Sequence, residues 1–188
     1  ARSGMLIVLL IGLAHFCAYS YLAPFFKHIA GFDGTTIGML LLLYGIAGVF
    51  GNAFAGYSGN LNIRYTLAFV GICFAIVFFG FPVFAIHETG AFILTALWGF
   101  AFGAFPTSAN IWMFVHAPQA VEKGMPLFVG LFQVMIASGS LLGGFVVDHF
   151  NENILIYGVL SFILLALLSI FTLAKGLNNP KISCENEA

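Results

Sequence analysis

A histidine stands at position 15 in the apolar run LAHFCAYSYLAPFF (13–26), and Tyr19 follows four residues later. Residues at i and i+4 share one face of a helix, so an imidazole and a phenol look the same way. Two kinds of chemistry suit that pair. One is hydrogen bonding to a polar solute. The other is proton exchange, since a free imidazole titrates at about pH 6.5. The plain alternative is a neutral histidine bonded to a neighbouring helix. Asn52, Asn110 and Gln133 are similarly isolated among apolar residues. A buried amide needs partners, so each ties helices together or lines a cavity. Gly56–Tyr57–Ser58–Gly59 matches the GxSG pattern of intramembrane serine proteases. A serine nucleophile requires a base within hydrogen-bond reach, and the nearest candidate, His15, belongs to a different run and a different depth. There is no phosphate loop, no carboxylate pair and no metal-ligand cluster. Cys17, Cys73 and Cys184 lack ligand spacing, and one intramembrane histidine is too few for a bis-histidine haem. The residues therefore predict no catalytic group, no metal, no cofactor and no enzyme activity.

The elements that position these groups follow from composition. The 188 residues are 61% hydrophobic and 7% charged, with mean hydropathy +1.06. A water-soluble domain is about 25% charged, and a soluble fold of this length leaves too much surface exposed to hide so apolar a chain. The chain is expected to be an all-α membrane protein in contact with the lipid bilayer. A net charge of −1 gives no basic patch for nucleic acid. A bilayer core needs about 20 apolar residues per helix, and six runs qualify, near 4–26, 35–57, 65–86, 91–113, 126–147 and 154–174. The runs are too long and uniform for the alternating strands of a β-barrel. Residues 175–188 form a polar tail. With both ends on one side, that side carries Arg2, Arg64, Lys123, Lys175 and Lys181 against Lys27 alone, which predicts that both termini are cytoplasmic. The abrupt apolar start reads as a piece of a longer protein.

Within these runs His15 lies roughly 16 Å along the first helix, near the bilayer midplane. A polar group there must face protein or water. Pro24 is expected to bend or end its helix, either as a hinge or as an ordinary end-of-helix proline. GIAGVFGNAFAG (45–56) repeats small residues every four positions, Gly48–Asn52–Gly56 and Ala47–Gly51–Ala55, a spacing that lets helices approach closely. In AFILTALWGFAFGAFPTSANIWMF, Gly99 and Gly103 form a GxxxG pair. Pro106 is expected to interrupt the helix between Trp98 and Trp112, making a hinge or a binding site of the kind built on broken helices. Trp112 is read either as part of that site or as an interfacial anchor. Gly139, Gly143 and Gly144 read as packing positions.

Taken in order, four stretches resemble one family. AHFCAYSYLAPFF resembles the H-F-x-x-Y-x-Y-L-x-P-F signature of a seventh helix. GIAGVFGNAFAG and the loop with Arg64 are similar to an eighth helix and its following loop. ALWGFAFGAFP resembles a tenth, and SLLGGFVVDHF the end of an eleventh. The family is the major facilitator superfamily, in the drug:proton antiporter branch that includes bacterial sugar, arabinose and nucleoside efflux pumps. The resemblance runs from Met5 to about Lys175. It implies six transmembrane helices forming the C-terminal half of a twelve-helix fold in the inner or plasma membrane. The missing N-terminal half is then the partner, and the activity is efflux of small organic solutes by alternating access. It implies a cavity wall from the first, second, fourth and fifth spans, with His15, Tyr19, Asn52, Asn110 and Gln133 as its polar residues. Asn60 and Leu61 stand near the places where the family's loop often carries Asp then Arg, leaving Arg64 as that loop's basic residue. No carboxylate lies inside a span, so proton coupling falls to the absent half or to His15. The rivals are a six-helix scaffold or receptor-like protein that moves no solute, an intramembrane protease using Ser58, and a six-helix homodimer.

Overall fold

The computed structural model describes residues 2–116, 121–150 and 152–172. The expected polar tail, with Lys175, Lys181 and Cys184, lies outside the described residues. Six helices follow in order: α1 (Arg2–Tyr19), α2 (Leu22–His28), α3 (Gly34–Phe84), α4 (Glu88–His116), α5 (Val121–His149) and α6 (Glu152–Thr172). Among the described residues there is no strand. Five helical stretches are long and apolar enough to cross a membrane: Met5–His28, Gly34–Phe84, Glu88–Val115, Phe128–His149 and Ile154–Phe171. The protein is therefore all-helical and suited to a membrane.

α3 spans 51 residues, roughly 77 Å of helix at 1.5 Å per residue, against a hydrocarbon core of about 30 Å. One residue resolves the excess. Asn62 is extended, with φ −158° and ψ 101°. Its side-chain oxygen accepts from the backbone N–H groups of Arg64 (3.1 Å) and Tyr65 (3.3 Å), capping the helix that restarts there. Before Asn62, Tyr44, Gly48 and Gly59 pack on Gly99, Gly103 and Ile111, so this half runs parallel to α4. After Asn62 the order inverts: Phe69 lies by Phe100, Gly80 by Leu94, and Phe84 by Gly90. The two halves of α3 are thus antiparallel. The loop expected from Ser58 to Arg64 is a single residue, because an asparagine cap does the work of a longer turn.

The α3–α4 contact is backbone to backbone. A Cβ on Gly99 would overlap the Tyr44 carbonyl, and one on Gly103 the Gly48 carbonyl. α1 runs parallel to α5, with Gly12 on Met135 and Phe16 on Gly139, and the chain just beyond α1 brings Tyr21 onto Gly143 and Gly144. α6 closes the bundle antiparallel to the second half of α3, with Leu167 on Gly71 and the Arg64 guanidinium 3.5 Å from the Phe171 carbonyl. Gly56 has nothing against it, so its place in the four-residue repeat is not a packing position.

The two prolines behave differently. The first span breaks at Ser20–Tyr21, ahead of Pro24, which sits in the first turn of α2. A proline ring collides with the carbonyl four residues earlier, here that of Ser20, so the break is displaced upstream. Pro106 does not interrupt its helix: α4 stays helical from Glu88 to His116. Trp112 is buried, which places it in the packing rather than in an interfacial belt.

α3 begins at Asp33, whose carboxylate accepts from the Thr36 N–H at 2.9 Å. Gly31, at φ 71°, makes the turn before it in the left-handed region that glycine enters freely. Hydrogen bonds from Thr36, side chain then backbone, hold the Asp33 carboxyl below its usual range. The carboxylate's contribution is therefore complete at neutral pH and is lost as pH falls through the lowered folded value. Asp33→Ala should speed amide exchange in the first turn of α3 at neutral pH. The difference from wild type should vanish in acid.

Candidate functional site

The aromatic residues of α1, α3 and α4 meet around Trp98. Its indole lies 5.0 Å from the Phe78 ring, 5.6 Å from Phe81 and 6.1 Å from Tyr44. Its Nε1–H donates to Nδ1 of His15 at 3.1 Å. Indole nitrogen only donates, so Nδ1 carries the lone pair and the ring's proton sits on Nε2. The imidazole stacks on Phe102 at 3.8 Å with 7° between planes, and on Tyr19 at 5.5 Å. It is 1% exposed. The Trp98–His15 bond joins α1 to α4; such interhelical bonds in membranes contribute on average about 0.6 kcal/mol and up to about 2.

Beside this cluster runs an open groove in two parts that meet at Pro106. The first lies between α3 and α4 and is lined by Tyr44, Gly48, Asn52, Phe102 and Thr107. The second lies between α4 and α5 and is lined by Asn110, Phe128, Phe132 and Gln133. Asn52 and Gln133 are exposed, and Thr107 and Asn110 are half-buried. Thr107 Oγ1 donates to Asn52 Oδ1. The Asn110 side-chain oxygen is buried with no hydrogen-bond partner. At the α1 edge, Ser20 Oγ and Ser140 Oγ are 2.7 Å apart. Tyr19, 39% exposed, stacks on His15 and lies 5.2 Å from Tyr44.

The structure thus brings Asn52, Asn110 and Gln133 onto one face and connects Tyr19 to that face through Tyr44. His15 is set behind it, under Phe102 and Tyr19, and lines neither groove segment. Pro106 is the shared lip of both groove segments, whereas Pro24 and Arg64 lie away from it. Ser58 Oγ donates to the Phe54 carbonyl at 2.8 Å, a bond within its own helix. Among the described residues, no three His, Cys, Asp or Glu side chains group to hold a metal.

Tyr44 was absent from the sequence expectation. It precedes Gly48 and Asn52 at four-residue spacing, so the same helical face that marked Asn52 carried the signal. The Trp98–His15 pairing had no local signal, since 83 residues separate the two. A search of protein-family models finds none that matches the chain.

Proposed function

We propose that the chain is the C-terminal half of a secondary transporter of the major facilitator type, moving small organic solutes such as sugars, nucleosides or drugs by alternating access. On this reading the chain crosses the membrane six times, counting the halves of α3 separately, with both ends cytoplasmic. The groove along α3, α4 and α5 faces an N-terminal six-helix half across the solute path. The two halves rock about it, exposing it to one side at a time. Proton coupling, where it operates, uses a carboxylate of the other half or His15. No step of catalysis is involved.

One observation carries the reading. Asn52 and Gln133 project exposed amides from apolar helices, on the same face as Thr107 and Asn110. An amide facing hydrocarbon costs several kcal/mol, so this face belongs against water or protein. Other outward positions, among them Leu42, Phe79, Leu164, Leu165 and Leu168, are apolar and suit lipid.

Flux in the intact protein tests the proposal. Gln133→Leu and His15→Ala should each lower transport more than they lower the amount of protein in the membrane. Unchanged transport in both variants would sink it.

A further inference from the structure

Two buried polar atoms in the aromatic cluster lack partners: Nε2 of His15 and the hydroxyl oxygen of Tyr44. The residues are 1% and 7% exposed. Buried polar groups are nearly always bonded, and each orphan is costly. These two share their surroundings. The His15 and Tyr44 rings both stack on Phe102, at 3.8 and 6.1 Å, and both lie against Tyr19, at 5.5 and 5.2 Å. Because Nδ1 is held by Trp98, Nε2 can only donate. The tyrosine hydroxyl can donate or accept.

We infer that His15 Nε2–H and the Tyr44 hydroxyl form a closed subsite for one uncharged, oxygen-bearing group of a solute, a carbonyl or hydroxyl, with Tyr19 as its lid. The inference rests on the solute-cavity reading above and names the chemistry of that cavity's deepest part. The oxygen would accept from Nε2–H and bond the Tyr44 hydroxyl, satisfying both orphans at once. Charge is disfavoured by the walls. The rings facing the imidazole are Phe16 and Tyr19 of α1, Phe74 of α3, and Trp98 and Phe102 of α4. Tyr44 of α3 faces Tyr19 and Phe102. None of these is acidic or basic, so an ion would enter without a counter-charge. Tyr44 also lines the open groove, and Tyr19 is the one plate of the cluster with substantial exposure. Its rotation is the short route inward.

The test uses the full protein in lipid nanodiscs, labelled with 15N-histidine, the His15 signals being assigned from their loss in His15→Gln. Three probes of equal size are added in turn: acetamide, acetate and acetamidinium. In the unliganded protein Nδ1 should read as unprotonated and Nε2 as protonated. Acetamide should shift the Nε2–H signal, and the two ions should not. Tyr44→Phe keeps the ring and removes the hydroxyl, and should weaken the acetamide response by about tenfold, the worth of one hydrogen bond. Tyr19→Ala should let acetamide act at lower concentration. A proton on Nδ1, no acetamide response in either wild type or Tyr19→Ala, an equal response to acetate, or an unchanged response in Tyr44→Phe would overturn the subsite. None of these readouts involves flux. An absence of transport with the acetamide response intact would count against the transporter reading and leave the subsite standing.

Discussion

Gly103→Ala should remove most of the folded protein from the membrane, whereas Gly56→Ala should leave it at wild-type abundance. Both changes add one methyl to a helical glycine of a small-residue repeat, Gly103 in the GxxxG pair of α4 and Gly56 in the four-residue repeat of α3. At Gly103 that carbon falls on the Gly48 carbonyl, and at Gly99 it would fall on that of Tyr44. A side chain can turn away from an intruding methyl, but a helix backbone must translate. Overpacking typically costs about 1–3 kcal/mol and occasionally more, and a backbone obstacle belongs at the upper end. Helix association in lipid depends on close packing rather than on a hydrophobic gradient, so moving α3 off α4 forfeits the contact that holds them. Gly56 has open space around it, and alanine there gains up to about 1 kcal/mol of helix propensity. Thermal unfolding in detergent, followed by size-exclusion elution, reads the difference. Equal behaviour of the two variants would refute the close approach of α3 and α4.

Trp98→Ala should be nearly as damaging, by a different route. The indole is 1% exposed and touches residues of α1 and α3 together. Truncating a buried tryptophan costs about 3–5 kcal/mol in soluble cores. In lipid the transfer share of that cost shrinks, because the surroundings are apolar in both states. The cavity remains, and so does a histidine Nδ1 stripped of its only donor, worth about 1–3 kcal/mol. Trp98→Phe should restore most of the volume and none of the hydrogen bond. Denaturant titration in detergent should place it between wild type and alanine. Were phenylalanine to match wild type, the bond to His15 would contribute nothing.

The membrane character of the chain was legible because it is a matter of bulk: lipid selects long apolar helices, and composition records them directly. The close-packing role of Gly99, Gly103, Gly139 and Gly143 was legible for a similar reason, since small residues at four-residue spacing mark a helix face. What escaped was set by single atoms. A stretch with the look of a loop, SGNLNIR, keeps its helix to Leu61 because the Asn62 side chain caps the next one. Pro24 was expected to bend or end its helix, and the position of the break, four residues upstream where the proline ring meets the Ser20 carbonyl, had to come from the structure. Pro106 was expected to interrupt a helix that runs on through it. Among the candidate site residues, the polar ones stood out against an apolar background. Their arrangement did not, because it depends on how α3 folds back beside α4. That packing puts Asn52 against Thr107 and seats His15 behind Phe102, and no periodicity along the chain encodes either.

The 83 residues between His15 and Trp98 set a schedule for biogenesis. A ribosome adding about 5–20 residues per second makes His15 roughly 4–17 s before it makes the indole that His15 accepts from. During that interval the first helix waits in the bilayer, or in the insertion machinery, with both imidazole nitrogens unpaired. α4 brings the hydrogen bond, but α1 packs chiefly on α5 and α6, so its seat is complete only after those helices are made. Helices made later thus complete one made earlier, and a chaperone that shelters polar helices would be needed while α1 waits for α4.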